Sequence, residues 1–241
     1  MKSIYAIIFI ALFTACTKKV SPPPGTETPA TEMVLNVSYH ADQVPLVSDS
    51  FIYTTQAGYQ YSVNNLIYYL SRISLIKLDS SLVEVKDYLF MDAFNANTNK
   101  VVMGGIPAGN YIGLKFNIGL DPKLNRTDSL PATVDNINMQ WPMMMGGGYH
   151  FMKFEGYFKD QGKSYGFNMH LGTDTCLIPV KLYKAITITE GTKTPIFMNM
   201  NINEWFRNPA VFDFNTDGNY IMGNVVAMKK FANNGVDVFK F

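Results

Sequence analysis

The sequence predicts an all-β protein, an antiparallel β-sandwich of immunoglobulin-like or jelly-roll-like type with short helical turns in its loops. Short segments alternate apolar and polar residues with a period of two, which is the spacing of a strand with one buried face. Turn-forming residues separate these segments, as at Gly104–Gly105 and Asn234–Gly235. Many short strands with regular turns between them are typical of a sandwich or a barrel.

The predicted strands follow one another from the start of the domain. In the first, Leu35, Val37 and Tyr39 alternate with polar residues. Residues 62–78 are ambiguous, but their Tyr and Ile content favours a strand over a helix. Asn203–Arg207 predicts one helical turn. Further alternating segments lie at Phe116–Leu120, Tyr149–Phe158, Ile186–Thr189 and Met198–Ile202. No internal repeat and no second linker interrupts them, so residues 33–241 are predicted to form one domain.

Composition narrows the classes of function. The chain has 241 residues, of which 16% are charged and 47% are hydrophobic, with a formal net charge of +1. A nucleic-acid partner is therefore not expected, because binding phosphates needs a concentrated basic surface. The hydrophobic fraction and the scattered aromatic residues argue against a chain that is disordered over most of its length.

The N-terminal residues predict export and a lipid anchor. A short basic start and the apolar run Ile4–Phe13 form a signal peptide, residues 1–15, because the run is too short to span a bilayer. Ala15–Cys16 then resembles a bacterial lipobox, although Phe13 stands where Leu is usual, and an ordinary cleaved signal is the alternative. Cys16 would be lipidated. Residues 16–32, rich in Pro, Thr and Glu, would form a disordered tether.

These features predict a protein of the cell envelope, anchored by lipid in the outer membrane and facing the periplasm. No acidic run follows Cys16, whereas surface-exported lipoproteins of Bacteroidetes-type bacteria usually carry one. With Cys16 lipidated, Cys176 has no intrachain disulfide partner. Cys176 is then either buried and inert or reactive toward a metal or a partner.

The chain lacks several short motifs of common enzymes: G-x-x-x-x-G-K-[ST], H-E-x-x-H and C-x-x-C are absent from the sequence. Gly162–Gly166 (GKSYG) matches the letters G-x-S-x-G, but it is followed by the alternating residues Phe167, Met169 and Leu171 and not by the helix that a nucleophile elbow needs. No nucleophile–base pair is visible. The protein is therefore predicted not to be an enzyme, and no catalytic residue is assigned.

A methionine-rich segment stands out instead. Met139–Met152 (MQWPMMMGGGYHFM) contains five Met, Trp141 and His150, one of only three His in the chain. Thioether and imidazole groups bind soft and borderline metals, and Cu(I) suits a mixed Met and His set. The alternative is that these Met fill the core or form a partner-binding surface. His40 and His170 both lie opposite apolar positions of predicted strands.

Several segments in one order resemble the MbnP-like copper-binding protein family, in the form found as Bacteroidetes lipoproteins. The resemblance covers essentially the whole predicted domain. The segments are Val37–Leu46 (VSYHADQVPL), Tyr53–Tyr61 (YTTQAGYQY), Val63–Leu75 (VNNLIYYLSRISL), Pro107–Asp121 (PAGNYIGLKFNIGLD), Met139–Gly156 (MQWPMMMGGGYHFMKFEG), Phe167–Gly172 (FNMHLG) and Asn234–Phe239.

The resemblance implies a secreted β-sandwich that binds copper through His. His40 and His170 match the family's recurrent His, and Trp141 lies in the block whose Trp becomes kynurenine in some relatives, through a partner di-haem peroxidase-type enzyme. Met143–Met145 stand where better-known members can have a second Trp. A Cu(I) site assisted by Met143 is therefore an alternative to a modified Trp141. His150 is either a third ligand or a packed structural residue.

Together these observations predict a membrane-anchored periplasmic protein that binds copper, as Cu(I), for acquisition, storage or trafficking. The alternative is a metal-free module that binds a glycan or a protein through an aromatic loop.

Overall fold

The computed structural model describes residues 30–241. The predicted signal peptide, Cys16 and most of the predicted tether lie outside the described residues. Strands contain 49% of the residues and helices 16%, and two packed sheets with mostly antiparallel pairing make up the structure. The predicted all-β sandwich with short helices in its loops is therefore confirmed.

Twelve strands and three α-helices are found in residues 30–241. The strands are β1 (Glu32–Ala41), β2 (Val44–Pro45), β3 (Tyr53–Thr54), β4 (Gln60–Ile76), β5 (Leu82–Asp92), β6 (Lys100–Gly104), β7 (Gly109–Ile118), β8 (His150–Asp160), β9 (Lys163–Gly172), β10 (Ile178–Ile188), β11 (Lys193–Asn201) and β12 (Phe239–Lys240). The helices are α1 (Ala96–Asn99), α2 (Val134–Asn138) and α3 (Val225–Asn234). Four short 3₁₀ turns lie between these elements at Met143–Met145, Asp174–Cys176, Ile202–Phe206 and Gly235–Asp237.

Within residues 30–241, the smaller sheet has five strands in the order β12-β11-β1-β2, and β6 also pairs with β1. β1 runs parallel to β11 and antiparallel to β2 and β6. Leu35, Val37 and Tyr39 are buried, so the alternation predicted for this segment is confirmed.

The larger sheet of the described residues has seven strands in the order β10-β7-β4-β8-β9, and β3 and β5 also pair with β4. The ambiguous segment at residues 62–78 belongs mostly to β4, so strand was the correct prediction there. Because β4 pairs with four other strands, it is the central strand of the sheet, and most of its residues are buried.

Aromatic side chains fill much of the core. Phe206 lies in the 3₁₀ turn that confirms the helical turn predicted at Asn203–Arg207. Its ring lies 5.3 Å from Tyr61 of the larger sheet and 5.6 Å from Phe231 of α3, measured between centroids. Such aromatic contacts add to the free energy gained by burying apolar area. No helix within residues 30–241 is long and apolar enough to cross a membrane.

Candidate metal centre

The β8–β9 hairpin brings two of the three His residues together. His170 and Gly172 lie two positions apart in β9 and therefore share one face of the sheet. His150 is the cross-strand partner of Gly172, and the register shifts between His150 and Met152. An irregularity of this kind re-aims a side chain. The centroids of the His150 and His170 rings are 5.2 Å apart, with the rings nearly perpendicular.

Trp141 covers the same face of the hairpin. Its ring centroid lies 4.7 Å from that of His150. A Cβ atom on Gly172 would stand 2.4 Å from the indole ring, so only glycine leaves room for Trp141 at this place. The Met-rich loop holds Trp141 there, because its backbone N–H donates to Gly148 O at 2.9 Å and its indole Nε1 donates to Met145 O at 3.2 Å.

The three consecutive glycines close this loop. Gly146, Gly147 and Gly148 all have positive φ, between 70° and 106°, a conformation that favours glycine. These conformations turn the chain back on itself and explain how Trp141 can fold over β9.

A carboxylate holds the His170 ring. The Glu155 Oε1 atom lies 2.6 Å from His170 Nε2, while Glu155 Oε2 accepts a hydrogen bond from Asn65 Nδ2 at 3.1 Å. The hydrogen bond with His170 lowers the pKa of Glu155 below its usual value, and burial opposes this effect. With Nε2 donating to Glu155, the lone pair of His170 is on Nδ1. Metal-binding imidazoles commonly donate their other nitrogen to a carboxylate in this way.

A backbone carbonyl holds the His150 ring. Nδ1 of this buried residue lies 3.2 Å from Met139 O, and its backbone N–H donates to the same oxygen at 2.6 Å. Burial, with the nearby positive charge of Lys153 and the His170 ring, lowers the pKa of His150 to about 3. His150 is therefore neutral at physiological pH, which is the protonation state that binds a metal. With Nδ1 donating to Met139, its lone pair is on Nε2.

His40 lies in the other sheet. It is in β1, beside a polar cavity of about 290 Å³ that Asp42, Asn201 and Arg207 also line. Its Nδ1 is buried without a hydrogen-bond partner. The aromatic pairs of the described residues join His150 to Trp141 and to His170, and none of them includes His40. The structure thus brings together His150, His170 and Trp141 of the predicted residues.

Met143 lies on the surface of the Met-rich loop. Its side chain is 70% exposed, and its sulfur accepts a hydrogen bond from Thr127 Oγ1 at 3.3 Å. In residues 30–241, no group of three or more His, Cys, Asp or Glu side chains is placed to hold a metal ion. A metal at the hairpin would have two imidazole ligands, which suits Cu(I), an ion that accepts low coordination numbers.

Sequence reasoning missed Glu155. The Lys-x-Glu spacing in β8 shows that Lys153 and Glu155 share a face, but nothing in the sequence gives the register between β8 and β9. Only that register shows that Glu155 reaches His170.

Comparisons with known proteins agree with this fold. The sequence model of the MbnP family matches residues 30–223 of the chain. Among solved structures, MbnP from Methylosinus trichosporium is similar, with a TM-score of 0.54 and 12% sequence identity over 76% of this chain and 80% of that one. No curated protein matches the chain.

Proposed function

Because the chain belongs to the MbnP family, we propose that it binds copper as Cu(I) between His150 and His170, beside Trp141. In this proposal the protein serves copper acquisition, storage or trafficking in the cell envelope and is not an enzyme. The copper is cargo. The observation that carries the proposal is the pair of neighbouring imidazoles, with ring centroids 5.2 Å apart, each held through one ring nitrogen by a protein group.

The donor set fits the ion. The lone pairs that remain for a metal are Nε2 of His150 and Nδ1 of His170, because each ring's other nitrogen is hydrogen-bonded to a neighbouring group. Cu(I) is soft and needs no water ligand, so a mostly buried pair beside an apolar ring suits it. The Glu155 carboxylate offsets the positive charge that the metal and Lys153 bring to this face of the sheet.

Trp141 has two possible roles in the proposal. Unmodified, its ring shields the metal from water. Converted to kynurenine by a di-haem peroxidase-type partner, it would add a ligand. We propose that protein from the native host be analysed by intact mass, since conversion changes the mass by two oxygen atoms less one carbonyl unit. An unmodified mass in native protein would exclude kynurenine and leave the two-imidazole centre.

The location in the proposal follows from the N-terminal sequence. A lipid on Cys16 and a tether would hold the domain at the outer membrane, on the periplasmic side. We expect a radioactive fatty acid to label the protein in its host. The label should be lost in a Cys16→Ala variant. Unchanged labelling of that variant would contradict the anchor.

The decisive experiment compares the three His residues. Each is replaced by Ala in the folded chain, and Cu(I) affinity is measured by competition with a coloured Cu(I) chelator. His150→Ala and His170→Ala are expected to weaken binding by about a hundredfold or more, since each removes one of two ligands. His40→Ala is the matched control and is expected to bind as the wild type does.

Two outcomes would contradict the proposal. Loss of affinity in His40→Ala, with the other two variants unaffected, would move the site to the polar cavity beside β1. Absence of any Cu(I) binding by the wild type, together with Trp fluorescence quenching by a soluble glycan, would favour a metal-free binding module instead.

A further inference from the structure

Trp141 also lines a cavity whose lining residues include neither His150 nor His170. Its volume is about 250 Å³. Three of its lining side chains carry sulfur, and they come from separate parts of the chain: Met145 from the Met-rich loop, Cys176 from the 3₁₀ turn after β9, and Met228 from α3. The remaining lining residues are Trp141, Thr173, Thr175, Gly223 and Val225.

The Cys176 thiol is placed to become a ligand. The residue is 1% exposed and has no disulfide partner among the described residues. Burial raises the pKa of its thiol, while the hydroxyls of Thr175 and Thr173 and the positive charge of Lys229 favour the thiolate. A metal ion supplies the positive charge that a buried thiolate needs, and it is then bound in deprotonated form.

The two thioethers complete the lining. Met228 is buried in α3, at 2% exposure. Met145 is 38% exposed, and its Cε lies 3.1 Å from the place where a Cβ on Gly223 would stand, so it spans the gap between the Met-rich loop and the segment before α3. Met145 therefore connects the surface of the loop to the cavity, whereas its neighbour Met144 is 99% exposed.

We propose that this cavity is a second soft-metal site, in which Cys176, Met145 and Met228 bind one Cu(I). Thiolate and thioether are the ligand types that select Cu(I) over harder ions. Binding breaks the Cys176 S–H bond, forms an S–Cu bond and releases the proton to solvent. No electron is transferred. The bound thiolate and Cu(I) cancel in charge, which suits the apolar surroundings of Trp141, Val225 and Met228.

The site goes beyond the proposed imidazole centre and shares none of its ligands. Trp141 forms a wall of both, since its ring contacts His150 and also lines the sulfur cavity. Part of the cavity comes from α3, beyond the residues 30–223 that the family model matches.

The test uses a His150→Ala, His170→Ala double variant, in which the imidazole centre is removed. Cu(I) binding is measured by chelator competition, and Cys176 is probed with a thiol-alkylating reagent with and without Ag(I), a soft ion without redox chemistry. The double variant is expected to retain one Cu(I) per chain, and Ag(I) is expected to slow alkylation of Cys176.

Further variants in that background identify the ligands. Cys176→Ala is expected to abolish the remaining binding, and Met228→Leu and Met145→Leu to weaken it about tenfold each. Leu nearly conserves the volume of Met, so folding is expected to be kept. Met144→Leu is the matched control from the same loop and should bind as its parent does. Circular dichroism confirms the fold, and the two Leu variants test the site if Cys176→Ala does not fold.

The outcomes separate the two proposals. No Cu(I) retained in the double variant, or equal binding after the Cys176 or Met228 replacement, would overturn the sulfur site. Wild-type binding that is lost with the sulfur replacements and unaffected by the His replacements would keep the sulfur site and overturn the imidazole centre.

Discussion

Glu155 fixes the orientation of His170, the more exposed imidazole of the proposed copper centre. Its two oxygens are divided between the His170 ring and the Asn65 amide, so the carboxylate cannot turn freely. A ligand whose orientation is set before the metal arrives loses less conformational entropy when it binds. The affinity of the proposed centre for copper is therefore expected to depend on a residue that need not touch the metal.

We expect Glu155→Gln to lower Cu(I) affinity by about ten- to a hundredfold, because an amide holds the ring more weakly than a carboxylate. Chelator competition measures the change. Glu190→Gln, an exposed change in the loop before β11, is the control with the same loss of charge. Equal affinities for the two variants would show that Glu155 does not support the site.

Glu204, Arg207 and Asp42 form a polar cluster that contributes to the stability of the fold. Glu204 accepts hydrogen bonds from Arg207 Nε at 2.9 Å and from Arg207 Nη2 at 2.5 Å, and Arg207 Nη1 lies 2.8 Å from Asp42. The hydrogen bonds from Arg207 lower the pKa of Glu204 below its usual value, against the effect of burial. The folded state thus binds the Glu204 proton less readily than the unfolded chain does.

This contribution to stability is present above the unfolded pKa of about 4.3 and is lost as pH falls through the lower folded pKa. We expect Arg207→Ala to lower the free energy of unfolding by about 2 kcal/mol at neutral pH. The same variant should show a smaller loss of stability with acid than the wild type below about pH 4. Urea unfolding at several pH values measures both effects. If the stability of Arg207→Ala fell as steeply with acid as that of the wild type, the pairing of Arg207 with Glu204 would be contradicted.

At the scale of elements, the β8–β9 hairpin makes the site. β8 supplies His150 and Glu155, β9 supplies His170, and the glycine at the end of β9 leaves space for the Trp141 ring. In a regular strand, His150 and Met152 would point to the same face of the sheet. The register shift between them places His150 opposite Gly172 and Met152 opposite Leu171, so the two side chains lie on different faces.

We expect Gly172→Ala to displace Trp141 and to destabilise the protein by about 2 kcal/mol, since the new methyl group would overlap the indole ring. Trp fluorescence and thermal unfolding report the two effects. Gly104→Ala in β6 is the matched control, because a Cβ there would meet no atom within 4 Å. Similar spectra and stabilities for both variants would contradict the packing.

At the scale of the whole molecule, the C-terminal residues are part of the core. Phe231 of α3 is fully buried and stacks on Trp205 with centroids 5.2 Å apart. Phe239 of β12 packs against Phe116 of the larger sheet at 5.3 Å. Elements beyond residue 223 therefore join the two sheets, although the family match ends there.

We expect Phe231→Ala to cost about 4 kcal/mol of unfolding free energy, which is typical of removing a buried aromatic side chain. Phe197→Ala is the control, since Phe197 is 60% exposed on β11, and its cost should be within about 0.5 kcal/mol. Denaturant unfolding measures both. A small loss of unfolding free energy in Phe231→Ala would contradict the role of α3 packing in the stability of the core.

Sequence patterns were enough to predict the strand class and several elements. The period-two alternation predicted β1, the Tyr- and Ile-rich segment predicted β4, and Asn203–Arg207 predicted a helical turn. These patterns are local, because alternation depends only on which face of a strand is buried. The candidate residues His150, His170 and Trp141 were also visible, as rare residue types in distinctive segments.

The sequence by itself determined an all-β chain of the MbnP family, with candidate metal ligands in separate segments of the chain. Only the tertiary structure decided which of those residues meet: His150 with His170 and Trp141, with Glu155 behind them, and Met145, Cys176 and Met228 around one cavity. The reason is physical. Register, irregularities in strand pairing and helix docking are set by contacts between residues far apart in the chain, and such contacts leave no local periodicity to detect.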